Sequence, residues 1–157
     1  MNEEKMIEFQ KRLKINNKTI TCAESCTGGL IASKITSISG SSSIFKGSVV
    51  TYCNEIKEQE LNVKKQTMIK NGVVSIQVVN EMLDGVLKKF DANIAIAVSG
   101  IAGPTGGSDE KPVGTVVIGI KSTCGYVNIQ KYLFNGNRVD IQNKATNKAF
   151  EIIFNKF

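Results

Sequence analysis

Between Asn93 and Val98 the chain reads Asn-Ile-Ala-Ile-Ala-Val, an almost unbroken apolar run that leads straight into a glycine-rich stretch. A strand of this kind has no polar face to turn to water, so both of its faces must be covered by other elements. The rest of the chain supplies the cover. Asn2 to Lys14 reads as an amphipathic helix, with Met6, Ile7, Phe9 and Leu13 recurring at helical spacing among charges. Ser75 is placed to cap a second helix through Ile76, Val79, Met82, Leu83, Val86 and Leu87, ending near Phe90. A third runs from about Val139 to Phe154, carrying Ile141, Ala145, Ala149, Ile152 and Ile153.

Further strands alternate with these helices. Thr19 to Ala23 is a β-branched run that passes through a tight turn into a helix bearing Leu30, Ile31, Ile35 and Ile38, which ends near Gly40. Ile44 to Tyr52 reads as a strand and Asn54 to Leu61 as a short charged helix, with Asn54 expected as its N-cap. Val113 to Lys121 and Tyr126 to Phe134 form a hairpin about Thr123-Cys124-Gly125, so that pair should be antiparallel. The expected fold is a three-layer α/β/α sandwich around a mixed, partly parallel sheet. At 157 residues the chain should form a single domain spanning 1–157.

What the composition lacks narrows the chemistry. There is no histidine, which removes every imidazole base and every histidine-based metal site. Acid-base work near neutral pH would fall to a lysine, carboxylate, tyrosine or thiol of shifted pKa. The four cysteines, Cys22, Cys26, Cys53 and Cys124, lack paired spacing and read as small buried or half-buried thiols. No apolar run approaches a membrane span and the first residues do not resemble a signal peptide, so a cytosolic setting is expected, without a membrane partner. The net charge of +6 invites an anionic partner, but 18 of the 20 basic residues are lysines. Groove readers of nucleic acid lean on arginine, so a phosphate-bearing small molecule fits better, and a solvated lysine face explains the charge equally well.

Four stretches are richer in Gly, Ser and Thr than connections require: 23–29, 40–42, 51–57, and 99–108 with the Glu110-Lys111-Pro112 that follows. Two of them start where an expected strand ends, the edge at which open α/β sheets bind ligands. Ser25, at a strand-to-helix turn followed by Thr27-Gly28-Gly29, has the setting of an acyl-transfer nucleophile, although an ordinary capping turn reads the same way. A serine needs a base, and Lys57, one turn into the short helix beside Tyr52, Cys53 and Ile56, is the candidate if burial lowers its pKa. A solvated lysine is the plainer reading of that residue. Four glycines between Gly100 and Gly107 suit either a phosphate or ribose nest or a mobile lid. Arg138, one of two arginines, could clamp a phosphate or hold a local turn.

Taken together, AESCTGG (Ala23 to Gly29), GSS (Gly40 to Ser42), VTYCNEIK (Val50 to Lys57) and SGIAGPTGGSDEKPVGTV (Ser99 to Val116) resemble, in order and spacing, the signature of the CinA C-terminal domain family. The likeness covers roughly Ile20 to Arg138. Members of that family are nicotinamide-nucleotide amidases, which turn nicotinamide mononucleotide into nicotinic acid mononucleotide and ammonia in pyridine-nucleotide salvage, with no metal and no cofactor. The resemblance implies Ser25 as nucleophile and Lys57 as general base. It also implies oxyanion donors among Thr27, Gly28 and Gly29, with Tyr52 and Asn54 near the nicotinamide or the base. Ser41, Ser42 and Arg138 would lie at the phosphate, and Ser99, Gly100, Ile101 and Ala102 on the ribose side.

The chain departs from the family pattern at Cys53, where a serine is expected, and at Asp109, where a proline is expected. Larger members carry an N-terminal domain linked to nucleotide pyrophosphatase activity, for which this sequence leaves no room before its first motif, so the stand-alone amidase form is expected. The competing reading is a nucleotide-binding or competence- and DNA-damage-associated regulatory module without turnover. Pockets of this kind are often completed at subunit interfaces, which leans towards a homo-oligomer.

Overall fold

The computed structural model describes residues 3–157. Five strands form one sheet: β1 (Ile20–Glu24), β2 (Phe45–Val50), β3 (Ile94–Gly100), β4 (Thr115–Ser122) and β5 (Val127–Leu133), in the order β2-β1-β3-β4-β5. β1 pairs in parallel with both β2 and β3, while β4 runs antiparallel to β3 and to β5. Six α-helices accompany them: α1 (Glu3–Ile15), α2 (Leu30–Thr36), α3 (Asn54–Leu61), α4 (Lys65–Asn71), α5 (Ile76–Phe90) and α6 (Arg138–Lys156). The expected α/β sandwich around a mixed sheet is the observed one. The first helix was expected from Asn2, which lies outside the described residues. No helix among the described residues is long and apolar enough to cross a membrane.

The strand alternation explains the three layers. Ile94, Ile96 and Val98 of β3 join one core with Met6, Phe9 and Leu13 of α1, Ile31 and Ile35 of α2, and Ile141, Ala145, Ala149, Phe150 and Ile153 of α6. Ala95 and Ala97, on the opposite face, join a second core with Val78, Val79, Met82, Leu83 and Val86 of α5. Each fully buried large apolar side chain stabilises the fold by about 1.5–3 kcal/mol, so the two cores together outweigh any single surface contact.

Two local expectations are corrected. Ser75 does cap α5, accepting from the Val78 N–H. Asn54 does not cap α3: the cap residue is Cys53, in extended backbone and without a side-chain capping bond, and Asn54 is the first helical residue. α4 was not anticipated, because Lys65–Asn71 buries only Met68 and so shows no apolar stripe.

The topology fixes where a site can form. β1, β2 and β3 are parallel and end at Glu24, Val50 and Gly100, so the turns that follow them meet at one edge of the sheet. β5, antiparallel to β4, ends at the same edge and delivers Arg138 there. The chain leaves β1 for β2 on one side and returns to β3 on the other, which opens a crevice at the carboxyl ends of these strands.

Candidate active site

Ser25 follows β1 directly and is 8% exposed, its N–H donating to the Val98 carbonyl of β3 at 3.0 Å. Lys57 is 1% exposed, although it belongs to a helix whose other positions are largely charged and solvated. Its Nζ donates to Ser25 Oγ at 3.3 Å and to the Thr51 carbonyl at 2.7 Å. Burial holds the amine below 10.5, the ordinary lysine value, against a weaker opposite pull from the nearby Cys53, Cys26 and Glu55. The two residues singled out from sequence, 32 positions apart, are thus in contact.

The turn between β1 and α2 is held from inside. Gly28 and Gly29 take φ values of +61 and +100, a backbone that side chains rarely adopt, and this bends the chain from strand to helix within five residues. The Glu24 carboxylate, fully buried, accepts from the N–H groups of Gly29 at 3.0 Å, Ile31 at 3.1 Å and Ala32 at 2.9 Å, and from the Cys22 thiol at 3.7 Å. Gln142 of α6 donates to the Cys26 carbonyl at 2.8 Å and ties the turn to the last helix.

These bonds decide which amides remain for an oxyanion. Gly29 N–H is committed to Glu24 and Gly28 N–H to the Ser25 carbonyl at 3.1 Å, so both amides expected as oxyanion donors already have acceptors. The amides of Cys26 and Thr27 find no carbonyl acceptor among the described residues. Thr27 is 1% exposed, and its hydroxyl has no hydrogen-bond partner among the described residues.

A pocket of about 270 Å³ opens in front of Ser25, lined by Ser25, Cys26 and Tyr52, by the 100–106 loop, and by Arg138. Gly100, Ile101 and Ala102 line it. Gly100 is there because no side chain fits: a Cβ would come within 2.7 Å of Val116, 2.9 Å of Cys26 Sγ and 3.0 Å of the Thr115 carbonyl. Arg138 donates to the Gly103 carbonyl at 2.6 Å and to the Tyr52 hydroxyl, so one guanidinium joins three walls of the pocket. Burial pushes the Cys26 thiol up to about 12, which keeps it protonated beside Ser25.

Other expected residues lie elsewhere. Ser41 and Ser42 sit in a short 3₁₀ turn before β2. β2 starts opposite Ile20, at the amino end of β1. The length of β1, five residues at about 3.3 Å each, or roughly 17 Å, separates that turn from Ser25 within the chain. Asn54 faces a separate groove with Glu55, Glu58, Lys65, Met68, Ile69 and Val73. Ser99 is 1% exposed and donates its hydroxyl to the Val73 carbonyl at 3.0 Å, on the face of β3 turned towards α5. Two contributors escaped sequence reasoning. Thr51 acts through its backbone carbonyl, which no residue type reveals; Glu24, an acid at the end of an apolar strand, was a visible signal without an assigned role.

The fold is thus that of an α/β protein with a mixed sheet, and at its crevice a buried amine is hydrogen-bonded to a serine hydroxyl. A family model described as the CinA C-terminal domain matches residues 2–157, and the chain belongs to that family. A CinA-like protein of Thermosipho melanesiensis is 48% identical over 141 residues, 89% of this chain and 35% of that protein. A putative competence-damage inducible protein of Halothermothrix orenii is 46% identical over 147 residues, covering 94% and 36% respectively. The chain spans about a third of the length of these curated relatives. Among solved structures, a competence/damage inducible protein from Agrobacterium tumefaciens superposes with a TM-score of 0.93 at 38% identity, covering 98% of this chain and 95% of that one. A competence damage-inducible protein A from Klebsiella pneumoniae gives 0.92 at 34%, covering 98% and 94%.

Proposed function

We propose that the protein is an amidohydrolase that converts nicotinamide mononucleotide to nicotinic acid mononucleotide and ammonia. The observation that carries this reading is the 3.3 Å contact between Lys57 Nζ and Ser25 Oγ, both buried, at the wall of an open pocket. Burial favours the neutral amine, the form that can accept a proton. The substrate class comes from the family resemblance.

In the first half-reaction Lys57 takes the Ser25 hydroxyl proton as Oγ bonds to the carboxamide carbon. The electron pair of the C=O bond moves to oxygen, and the amides of Cys26 and Thr27 are the donors left to meet that charge. As the C–N bond breaks, Lys57 returns the proton to nitrogen and ammonia leaves an ester on Ser25. A water then gives one proton to Lys57 and adds its oxygen to the ester carbon. When the C–Oγ bond breaks, that proton passes to Ser25, and the acid is released. Tyr52, Arg138 and the 100–106 loop line the space that the nucleotide would fill.

An ammonia-release assay with nicotinamide mononucleotide tests the reading. Wild-type protein should turn over, while Ser25→Ala and Lys57→Ala should lose about a thousandfold or more while remaining folded. Ligand binding by wild-type protein without ammonia release would leave a binding module in place of an enzyme.

A further inference from the structure

The geometry points to Glu24 as the positioning residue that holds both halves of the site in register. This rests on the reading of Ser25 and Lys57 as a catalytic pair. Glu24 works in two directions. Its carboxylate gathers the N–H groups of Gly29, Ile31 and Ala32 and so fixes the turn that carries Ser25. Its backbone carbonyl accepts from the Thr51 N–H at 2.7 Å and from the Thr51 hydroxyl at 3.4 Å. The Thr51 carbonyl in turn accepts from Lys57 Nζ at 2.7 Å. A continuous hydrogen-bonded path therefore runs from the nucleophile's turn through Glu24 and Thr51 to the base.

The same carboxylate selects the oxyanion donors. A buried N–H without an acceptor is costly, so without Glu24 the amides of Gly29, Ile31 and Ala32 would seek other partners and the turn would re-form around them. With Glu24 present they are satisfied, and beside Ser25 the Cys26 and Thr27 amides are the ones that meet no carbonyl among the described residues. Glu24 touches no part of the pocket; it lines the back of the turn, and its effect on turnover passes through Ser25.

Glu24→Gln keeps the shape but turns an N–H₂ group towards backbone donors, and Glu24→Ala removes every acceptor. Both are made in a Cys53→Ser, Cys124→Ser background, which leaves Cys26 and Cys22 as the only thiols. Turnover of nicotinamide mononucleotide and thiol alkylation mapped by mass spectrometry are then measured on the same folded samples. The expected result is a loss of kcat of at least tenfold for Glu24→Gln and more for Glu24→Ala, with KM within about threefold. Cys26, inside the turn, should alkylate at least tenfold faster, while Cys22, which loses its own bond to Glu24 but is fully buried inside β1, stays shielded by the sheet and reports an intact core. Unchanged kcat in Glu24→Gln, or Cys22 opening together with Cys26, overturns the proposal by making Glu24 a stability residue only. If the background protein has no turnover at all, the amidase reading fails instead, and the alkylation of Cys26 against Cys22 still decides the positioning claim.

Discussion

Two turns of this chain look alike in composition and behave differently. The turn at 25–29 and the turn at 40–43 are both built from Gly, Ser and other small residues. The first is buried at Ser25, Cys26 and Thr27, capped by a carboxylate beneath it, and meets a lysine from a distant helix. The second is largely exposed, and its one side-chain bond is local, from Ser43 Oγ to the Gly40 carbonyl at 2.8 Å. The difference lies in which end of a parallel strand each turn occupies. Small residues make a tight turn available; the carboxyl edge of the sheet makes it a site.

The largest effect expected from this contrast is at Lys57. Lys57→Met fills the same buried space without a base and should lower kcat by about a thousandfold or more, measured by ammonia release. Retained activity would place the chemistry outside the first turn.

The pH profile sharpens the same point. Lys57 must be neutral to act, and its pKa lies below 10.5, so kcat should rise with pH through a midpoint below that value. Stability follows with a definite sign. Between the folded-state pKa and 10.5 the unfolded chain binds the extra proton, so wild-type stability should rise with pH across that window relative to Lys57→Met. A titration of thermal unfolding for the two proteins checks this, and equal slopes would contradict it.

Gly100→Ala probes the packing between the first turn and the pocket loop. The added methyl group meets Val116, Cys26 Sγ and the Thr115 carbonyl, all three within 3.0 Å, so overpacking should cost about 1–3 kcal/mol in denaturant unfolding. Turnover should fall with it, since Cys26 belongs to the Ser25 turn.

In the second turn, Ser41→Ala with Ser42→Ala should leave kcat/KM within about threefold, because about 17 Å separates that turn from Ser25 within one chain. A larger loss would mean that the turn reaches the pocket of another copy, and sedimentation of the same variant would show whether assembly changed. The smallest effect is expected at Thr27. Thr27→Val removes a buried hydroxyl that has no partner among the described residues and should leave the melting temperature unchanged or raise it.

How much of this was legible depends on whether a feature acts through periodicity or through long-range placement. β3, the β4–β5 hairpin and α5 declare themselves because their side chains alternate or recur with one face buried. α4 buries a single residue and leaves no pattern. Ser25 and Lys57 could be proposed from residue type, but their contact depends on β1 and β2 running side by side in parallel. Ser99 shares a face of β3 with Ala95 and Ala97, and its hydroxyl is taken up by the Val73 carbonyl, a partner that no residue type reveals. The place of the 40–43 turn is hidden too, since its composition does not tell which end of the sheet it will occupy. Gly28 and Gly29 shape the turn as their residue type suggests, but their amides are already engaged, by the Ser25 carbonyl and by Glu24, which residue type does not reveal.

The central claim is that Ser25 becomes covalently attached to substrate with Lys57 carrying its proton. Rapid acid quench of the protein with nicotinamide mononucleotide, followed by intact-mass and peptide mapping, tests it most directly. The account predicts an adduct on Ser25 with the mass of the substrate less ammonia, absent from both Ser25→Ala and Lys57→Met. Steady ammonia release by Ser25→Ala, or an adduct mapped to Cys26 or Cys53, would contradict it.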